Sequence, residues 1–176
     1  MKVETPRLDA HGLRVALVVA RFNHLISIRL VDAARATLLE RGVDSGDLSL
    51  FWVPGAFEIP QAARRLAESG RFDAIVTLGS VIRGGTPHFD YVCRGVTDGV
   101  REVMRSTNVP VAFGVLTTDD IEQALARSGG SDGNKGGEVA LAAIEMARLF
   151  QGTAFRAVED RAIDVRATEG GETTTP

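Results

Sequence analysis

The chain has 176 residues, 44 % of them hydrophobic and 24 % charged, with a formal net charge of -3; this fits one globular domain with a full core and gives no general pull toward nucleic acid or an anionic membrane. Any phosphate it binds must be held by local groups. One cysteine excludes an intrachain disulfide framework and a cysteine-based zinc site, no apolar run reaches membrane-spanning length, and a start without an apolar signal segment gives the expectation of a cytoplasmic protein.

Residues 1–12 form a polar lead-in, and 13–20 (LRVALVVA) read as a first strand, buried on both faces beyond Arg14. The run stops at Arg21, Phe22 and Asn23. Over 24–41 Ile26, Leu30, Ala33, Ala34 and Leu38 recur at helical spacing, and Gly42 stands where a left-handed residue would close that helix. A second strand, 48–53 (LSLFWV), leads into Pro54-Gly55-Ala56-Phe57-Glu58-Ile59-Pro60, after which Ile59, Ala62, Ala63 and Leu66 mark a helical face ended by Gly70. Pro54 fixes one dihedral and Gly55 relaxes the next, so the backbone N–H groups of Ala56, Phe57 and Glu58 are placed to face a ligand at a helix start. Glu58 reads equally well as a first-turn carboxylate complementing the helix dipole.

The third unit opens with 74–78 (AIVTL), a short buried strand between Gly70 and Gly79. It runs into 79–93, GSVIRGGTPHFDYVC. Gly84 and Gly85 allow close approach of backbone to a ligand, and Thr86, Pro87 and His88 lead into a helix expected to open near Phe89, whose free N–H groups favour an anion. His88 is the one side chain of the loop with an ordinary pKa near neutrality, so it is the candidate proton carrier; its alternative is a cap or surface residue. Arg83 reads as a solvated surface charge and Cys93 as a small buried apolar residue.

Phe89, Val92, Val96, Val100, Val103 and Met104 keep the helical spacing to about 107–108, and 109–115 (VPVAFGV) reads as a fourth strand with Pro110 at its beginning. Asp119 with Glu122 resembles a capping box for a short helix ending around Arg127. Residues 129–137 read as a flexible link, and Val139, Ala142, Ala143, Met146, Leu149 and Phe150 mark the last helix. Lys135 is followed by Gly136 and follows no expected strand, which excludes a Walker loop, and no GxGxxG follows the first strand. From 151 to 176 the chain is polar and is expected to be disordered or loosely attached, leaving 13–150 as the domain.

Alternating strands and helices imply a mainly parallel sheet covered on both faces by right-handed crossovers. Residues 22–23, 54–58, 79–88 and 113–118 then lie at the carboxyl ends of their strands, the edge where open α/β sheets bind ligands. That edge would offer the aromatic faces of Phe22, Phe57 and Phe113, backbone donors, a Gly-rich anion loop and one imidazole. Such a site suits a planar polar ring and a phosphate.

The runs Arg21-Phe22-Asn23, Pro54-Gly55-Ala56-Phe57-Glu58-Ile59-Pro60, Val81-Ile82-Arg83-Gly84-Gly85-Thr86-Pro87-His88-Phe89-Asp90-Tyr91-Val92-Cys93, Gly114-Val115-Leu116-Thr117-Thr118 and Gly133-Asn134-Lys135-Gly136 together resemble the 6,7-dimethyl-8-ribityllumazine synthase family, in order and in spacing, over about 13–149. The resemblance implies an α/β fold, a flavodoxin-like three-layer sandwich with a central four-stranded parallel sheet and helices on both faces. It implies a transferase of the penultimate step of riboflavin biosynthesis, joining 5-amino-6-(D-ribitylamino)uracil to 3,4-dihydroxy-2-butanone 4-phosphate with no metal and no organic cofactor.

By the same resemblance Phe22 stacks on the heteroaromatic ring, Ala56, Phe57 and Glu58 bind the ribityl chain and uracil, and Ser80, Val81 and Ile82 hold the pyrimidine through backbone groups. Gly85 and Thr86 cradle the phosphate substrate, Arg127 pairs with the leaving phosphate, and His88 carries protons. Phe113 and Arg127 are implied to come from an adjacent subunit of a homopentamer. In some members twelve pentamers build a sixty-subunit icosahedral cage, to which the short link 128–134 inclines this chain; association with riboflavin synthase is a further expectation. Two other readings are a structural shell or ligand store without catalysis, and a flavodoxin-like module that binds a flavin, lumazine or nucleotide.

Overall fold

β1 (Val15–Ala20) is VALVVA, and every one of its residues is buried, because the strand lies inside a sheet with helices on both faces. In the computed structural model, which describes residue 3 and residues 5–152, the sheet has the order β2-β1-β3-β4, with β2 (Leu48–Val53), β3 (Ala74–Ile82) and β4 (Val111–Thr118) all parallel to their neighbours. The expected α/β flavodoxin-like three-layer arrangement is therefore observed. The tail expected to be disordered lies, from 153 onward, outside the described residues.

Side-chain alternation divides the core. Val15, Leu17 and Val19 of β1 and Ala74, Val76 and Leu78 of β3 pack with α1 (His24–Glu40), α4 (Ile121–Ala126) and α5 (Lys135–Phe150). Ala16, Val18 and Ala20, with Ile75 and Val81, pack on the other face with α2 (Ile59–Ala67) and α3 (His88–Ser106). At the amino edge Asp73 accepts hydrogen bonds from the Arg14 backbone N–H at 2.8 Å and from its guanidinium Nε and Nη2 at 3.1 Å each, which pins the starts of β1 and β3 together.

Several boundaries differ from the sequence expectation, each because a partner decides it. β1 begins at Val15, two residues inside the run. β3 does not stop at Leu78 but reaches Ile82, since β4 continues to pair with it through Ile82↔Thr118 after β1 has ended. β4 correspondingly runs from Val111 to Thr118 and not over 109–115. α4 is capped by Asp120, not Asp119: the Asp120 carboxylate accepts from the Gln123 N–H at 2.7 Å, and the Gln123 side-chain oxygen accepts from the Asp119 N–H at 3.2 Å.

Residues 129–137 are not a flexible link. Ser128–Gly130 (β5) and Gly133–Asn134 (β6) form an antiparallel hairpin, helped by the left-handed Gly129 and Gly133 at φ 110° and 77°, and α5 begins directly at Lys135. Asn134 caps α5, its side-chain Oδ1 accepting from Gly136 N–H at 2.9 Å, while its side-chain Nδ2 donates to Arg29 O at 3.1 Å and fastens the hairpin to α1. α3 opens at His88, one residue before the expected Phe89, and Cys93 on it is half-buried and not part of the closed core.

α5 and α1 touch backbone to backbone, for a Cβ added to Gly136 would stand 2.0 Å from the carbonyl oxygen of Leu30. Gly136→Ala must therefore push two helices apart, and we expect a loss of about 2–3 kcal/mol in urea unfolding. An unchanged midpoint would show that the helices slide freely past one another.

Candidate functional site

The site is assembled where β3 outruns β1. Beyond the last β1–β3 pair, Val19↔Leu78, the amide nitrogen of Asn23 donates to the carbonyl of Ser80 at 2.9 Å. Asn23 can do this because it adopts φ 58°, and it is the one non-glycine with positive φ among the described residues. Asparagine tolerates this left-handed conformation better than most residues. On the opposite side Arg21 N–H and Phe22 N–H donate to the carbonyls of Val53 and Pro54 at 2.8 and 3.1 Å, so the chain leaves the sheet with its path fixed on both flanks. Phe22 is left 71 % exposed at the edge.

After β2 the chain enters a 3-10 turn at Ala56–Glu58, with Pro60 in the first turn of α2. Ala56 is buried and Phe57 is 60 % exposed. Glu58 precedes α2 without making a side-chain cap. In the third segment Val81 belongs to the α2/α3 face of the core and Ile82 packs against the other. Ser80 is buried with its hydroxyl unpartnered.

Arg83 is not the free surface charge that its sequence context suggests. Its N–H extends the ladder to Thr118 O at 2.9 Å, its Nε donates to Asp119 at 2.8 Å and its Nη1 to Asp90 at 3.2 Å, and its guanidinium lies 4.1 Å from the ring centre of Phe89. The hydrogen bond with Asp119, followed by the charge of Asp90, holds the guanidinium above its ordinary pKa. One side chain thus ties the end of β3 to the first turn of α3 across the Gly84–Gly85 loop. A Cβ on either glycine would meet nothing within 4 Å, so this backbone is open to approach.

These segments enclose a cavity of about 630 Å³, within the size range of small-molecule sites. Phe22, Ala56, Phe57, Glu58, Ser80, Val81, Ile82, Thr86 and His88, all singled out from sequence, line it together. His88, the first residue of α3, is exposed there and its ring has no hydrogen-bond or ion-pair partner among the described residues. Among those residues no group of three or more His, Cys, Asp or Glu side chains could hold a metal ion, and no helix is long and apolar enough to cross a membrane.

The family model of 6,7-dimethyl-8-ribityllumazine synthase matches residues 12–151, a span that includes every strand and helix described. The chain belongs to this family. Membership places it in riboflavin biosynthesis as a transferase.

Three expected site residues do not line the cavity of their own chain, two of them, Phe113 and Arg127, being those that the family resemblance assigns to an adjacent subunit. Phe113 pairs with Thr77 near the amino end of β4, so it does not belong to the carboxyl edge as its inclusion in 113–118 assumed. It is 36 % exposed. Arg127 follows α4, donates to Gln123 O at 3.2 Å and pairs with Asp132 at 3.3 Å on the hairpin. Gly85 lies between two lining residues, Gly84 and Thr86, without lining the cavity itself.

Asn23, Phe89, Tyr91 and Val92, to which the sequence assigned no individual site role, also line the cavity. Phe89 and Val92 were visible only as core-spaced residues, and a left-handed asparagine has no periodic signal. The Asn23 bond predicts its own test. Asn23→Ala loses the donor to Ser80 and strains the left-handed backbone, for roughly 2 kcal/mol, whereas Asn23→Gly loses only the donor, for about 1 kcal/mol. Equal losses in denaturant unfolding would show that the left-handed conformation carries no strain for alanine.

Proposed function

We propose that this protein condenses 5-amino-6-(D-ribitylamino)uracil with 3,4-dihydroxy-2-butanone 4-phosphate to give 6,7-dimethyl-8-ribityllumazine. Two C–N bonds form by dehydration and one phosphate is eliminated, so the by-products are phosphate and two molecules of water. The observation that carries this reading is the convergence of two exposed phenylalanines, Ser80, Val81 and Ile82, Thr86 of the Gly-rich loop and His88 on one cavity in a chain matched by the family model over 12–151.

The chemistry needs a flat aromatic seat, polar backbone groups for a uracil, and a proton carrier beside the ketone phosphate. Phe22 stacks on the pyrimidine ring. Ala56, Phe57 and Glu58 take the ribityl chain and part of the uracil, and backbone groups of Ser80, Val81 and Ile82 take the rest. The butanone phosphate lies toward Gly85 and Thr86, with His88 close by. The imidazole takes a proton from the attacking amine, returns it to the departing hydroxyl as the imine forms, and serves again in phosphate elimination and ring closure. A binding module without catalysis would leave this exposed, unpartnered imidazole without a task.

Phe113 and Arg127, outside their own chain's cavity, act in this reading on the cavity of a neighbouring subunit, Phe113 against the ring and Arg127 toward the phosphate. The working unit is then a homopentamer in the cytoplasm, with a sixty-subunit icosahedral cage as the larger assembly and riboflavin synthase as its partner. The compact hairpin over 128–134 supports the cage, since it adds no bulky insertion before α5.

Two experiments test the reading. His88→Ala should slow formation of the lumazine chromophore from the two substrates by roughly ten- to a thousandfold while binding persists. An unchanged rate across the pH range would remove His88 from the mechanism. Arg127→Ala should keep the oligomer and weaken the phosphate substrate far more than the uracil. Co-assembly of subunits carrying His88→Ala with subunits carrying Arg127→Ala should restore activity at interfaces that pair an intact His88 with an intact neighbouring Arg127. Activity no greater than the average of the two parents would place Arg127 outside the shared site.

A further inference from the structure

α3 has nineteen residues and carries two glycines one turn apart in its interior, Gly95 and Gly99. Glycine is a poor helix former at such positions, so a packing reason is expected. The surroundings supply one. A Cβ on Gly99 would stand 2.6 Å from Cγ of Pro60, and a Cβ on Gly95 would stand 2.3 Å from Cε2, 2.8 Å from Cδ2 and 3.3 Å from Cζ of Phe57. The segment that follows β2 therefore rests directly on the backbone of α3.

The two contacts differ in consequence. Pro60 belongs to the first turn of α2 and Gly99 serves helix packing. Phe57, in contrast, presents a rotatable ring that is 60 % exposed and lines the cavity, and the atoms nearest Gly95 are those of the ring edge. We propose that Gly95 is a positioning residue of the site: the space where its side chain would be is the seat that holds the edge of the Phe57 ring, and so sets the wall that the cavity presents to the ring and ribityl chain of its ligand. The inference rests on the reading of the cavity as a lumazine site. Gly95 touches no substrate itself and acts through Phe57.

The proposal separates affinity from stability, which move in opposite directions. Gly95→Ala adds a methyl group to a helix interior, where alanine is the better residue, but that methyl occupies the ring's seat and drives Phe57 into another rotamer. The melting temperature should be equal to or above the parent's. Binding of 6,7-dimethyl-8-ribityllumazine, followed by fluorescence titration of the assembled protein, should weaken about three- to tenfold, the scale of one misplaced aromatic contact. KM for the ribitylaminouracil should rise more than kcat falls.

A double-mutant cycle identifies the route. With the ring removed by Phe57→Ala, adding Gly95→Ala should change Kd by less than about 1.5-fold, because no ring remains to be evicted. Unchanged Kd in the single variant Gly95→Ala, or the same weakening with and without Phe57, would overturn the proposal while leaving the cavity reading in place. A parent protein that does not bind the lumazine, or Phe22→Ala and Phe57→Ala variants that both bind it as the parent does, would overturn the cavity reading and this inference with it. Should Gly95→Ala alone fail to fold, folding of the double variant would support the seat, and failure of both would overturn it.

Discussion

β3 is longer than its neighbour β1, and the site depends on that mismatch. Four residues after the last pair with β1, the strand is still held by β4 through Ile82↔Thr118, so a rigid backbone projects past the covered part of the sheet. The uncovered flank of that projection is where Asn23 donates to Ser80. The same projection delivers Arg83 to its two carboxylates and to the face of Phe89. A parallel sheet with staggered strand ends thus makes a shelf, and loops from three βα units close around it.

Close approach of backbones gives the shelf its walls. Gly79 lies against Ala20, where an added Cβ would stand 3.0 Å from the alanine methyl. Gly95 and Gly99 let the segment after β2 lie on α3, and Gly136 lets α5 lie on α1. Gly95, Gly99 and Gly136 exchange helix propensity for contacts that a side chain would disturb, and at Gly79 the fit is merely tight. The loop glycines Gly84 and Gly85 serve a different end, for nothing crowds them; they keep backbone N–H groups accessible beside His88.

The apolar residues sort by the same logic. Every residue of β1 is buried, yet Phe22 and Phe57 at the cavity rim stay mostly in contact with solvent. Large aromatic side chains grouped at a concave edge mark a surface meant to be covered. Under the proposed function a heteroaromatic substrate and a neighbouring subunit provide that cover, and burial absent from the single chain is completed on binding and assembly.

Element type was written in the sequence, since it depends on periods of two and 3.6 residues that neighbouring side chains display directly. The bounds of β2 were legible to the residue, and Gly42 and Gly70 were recognisable as stops because each takes a positive φ, 100° and 67°, that favours glycine. Most of the cavity lining was legible for a related reason, as strand-end loops in a parallel sheet must share one edge. Where β3 and β4 end was decided only in the folded sheet, because ladder hydrogen bonds come from a partner distant in the chain. The same holds for the hairpin at 128–134 and the clasp of Arg83. Those features depend on which groups meet across long sequence separations, and only the tertiary structure brings them together.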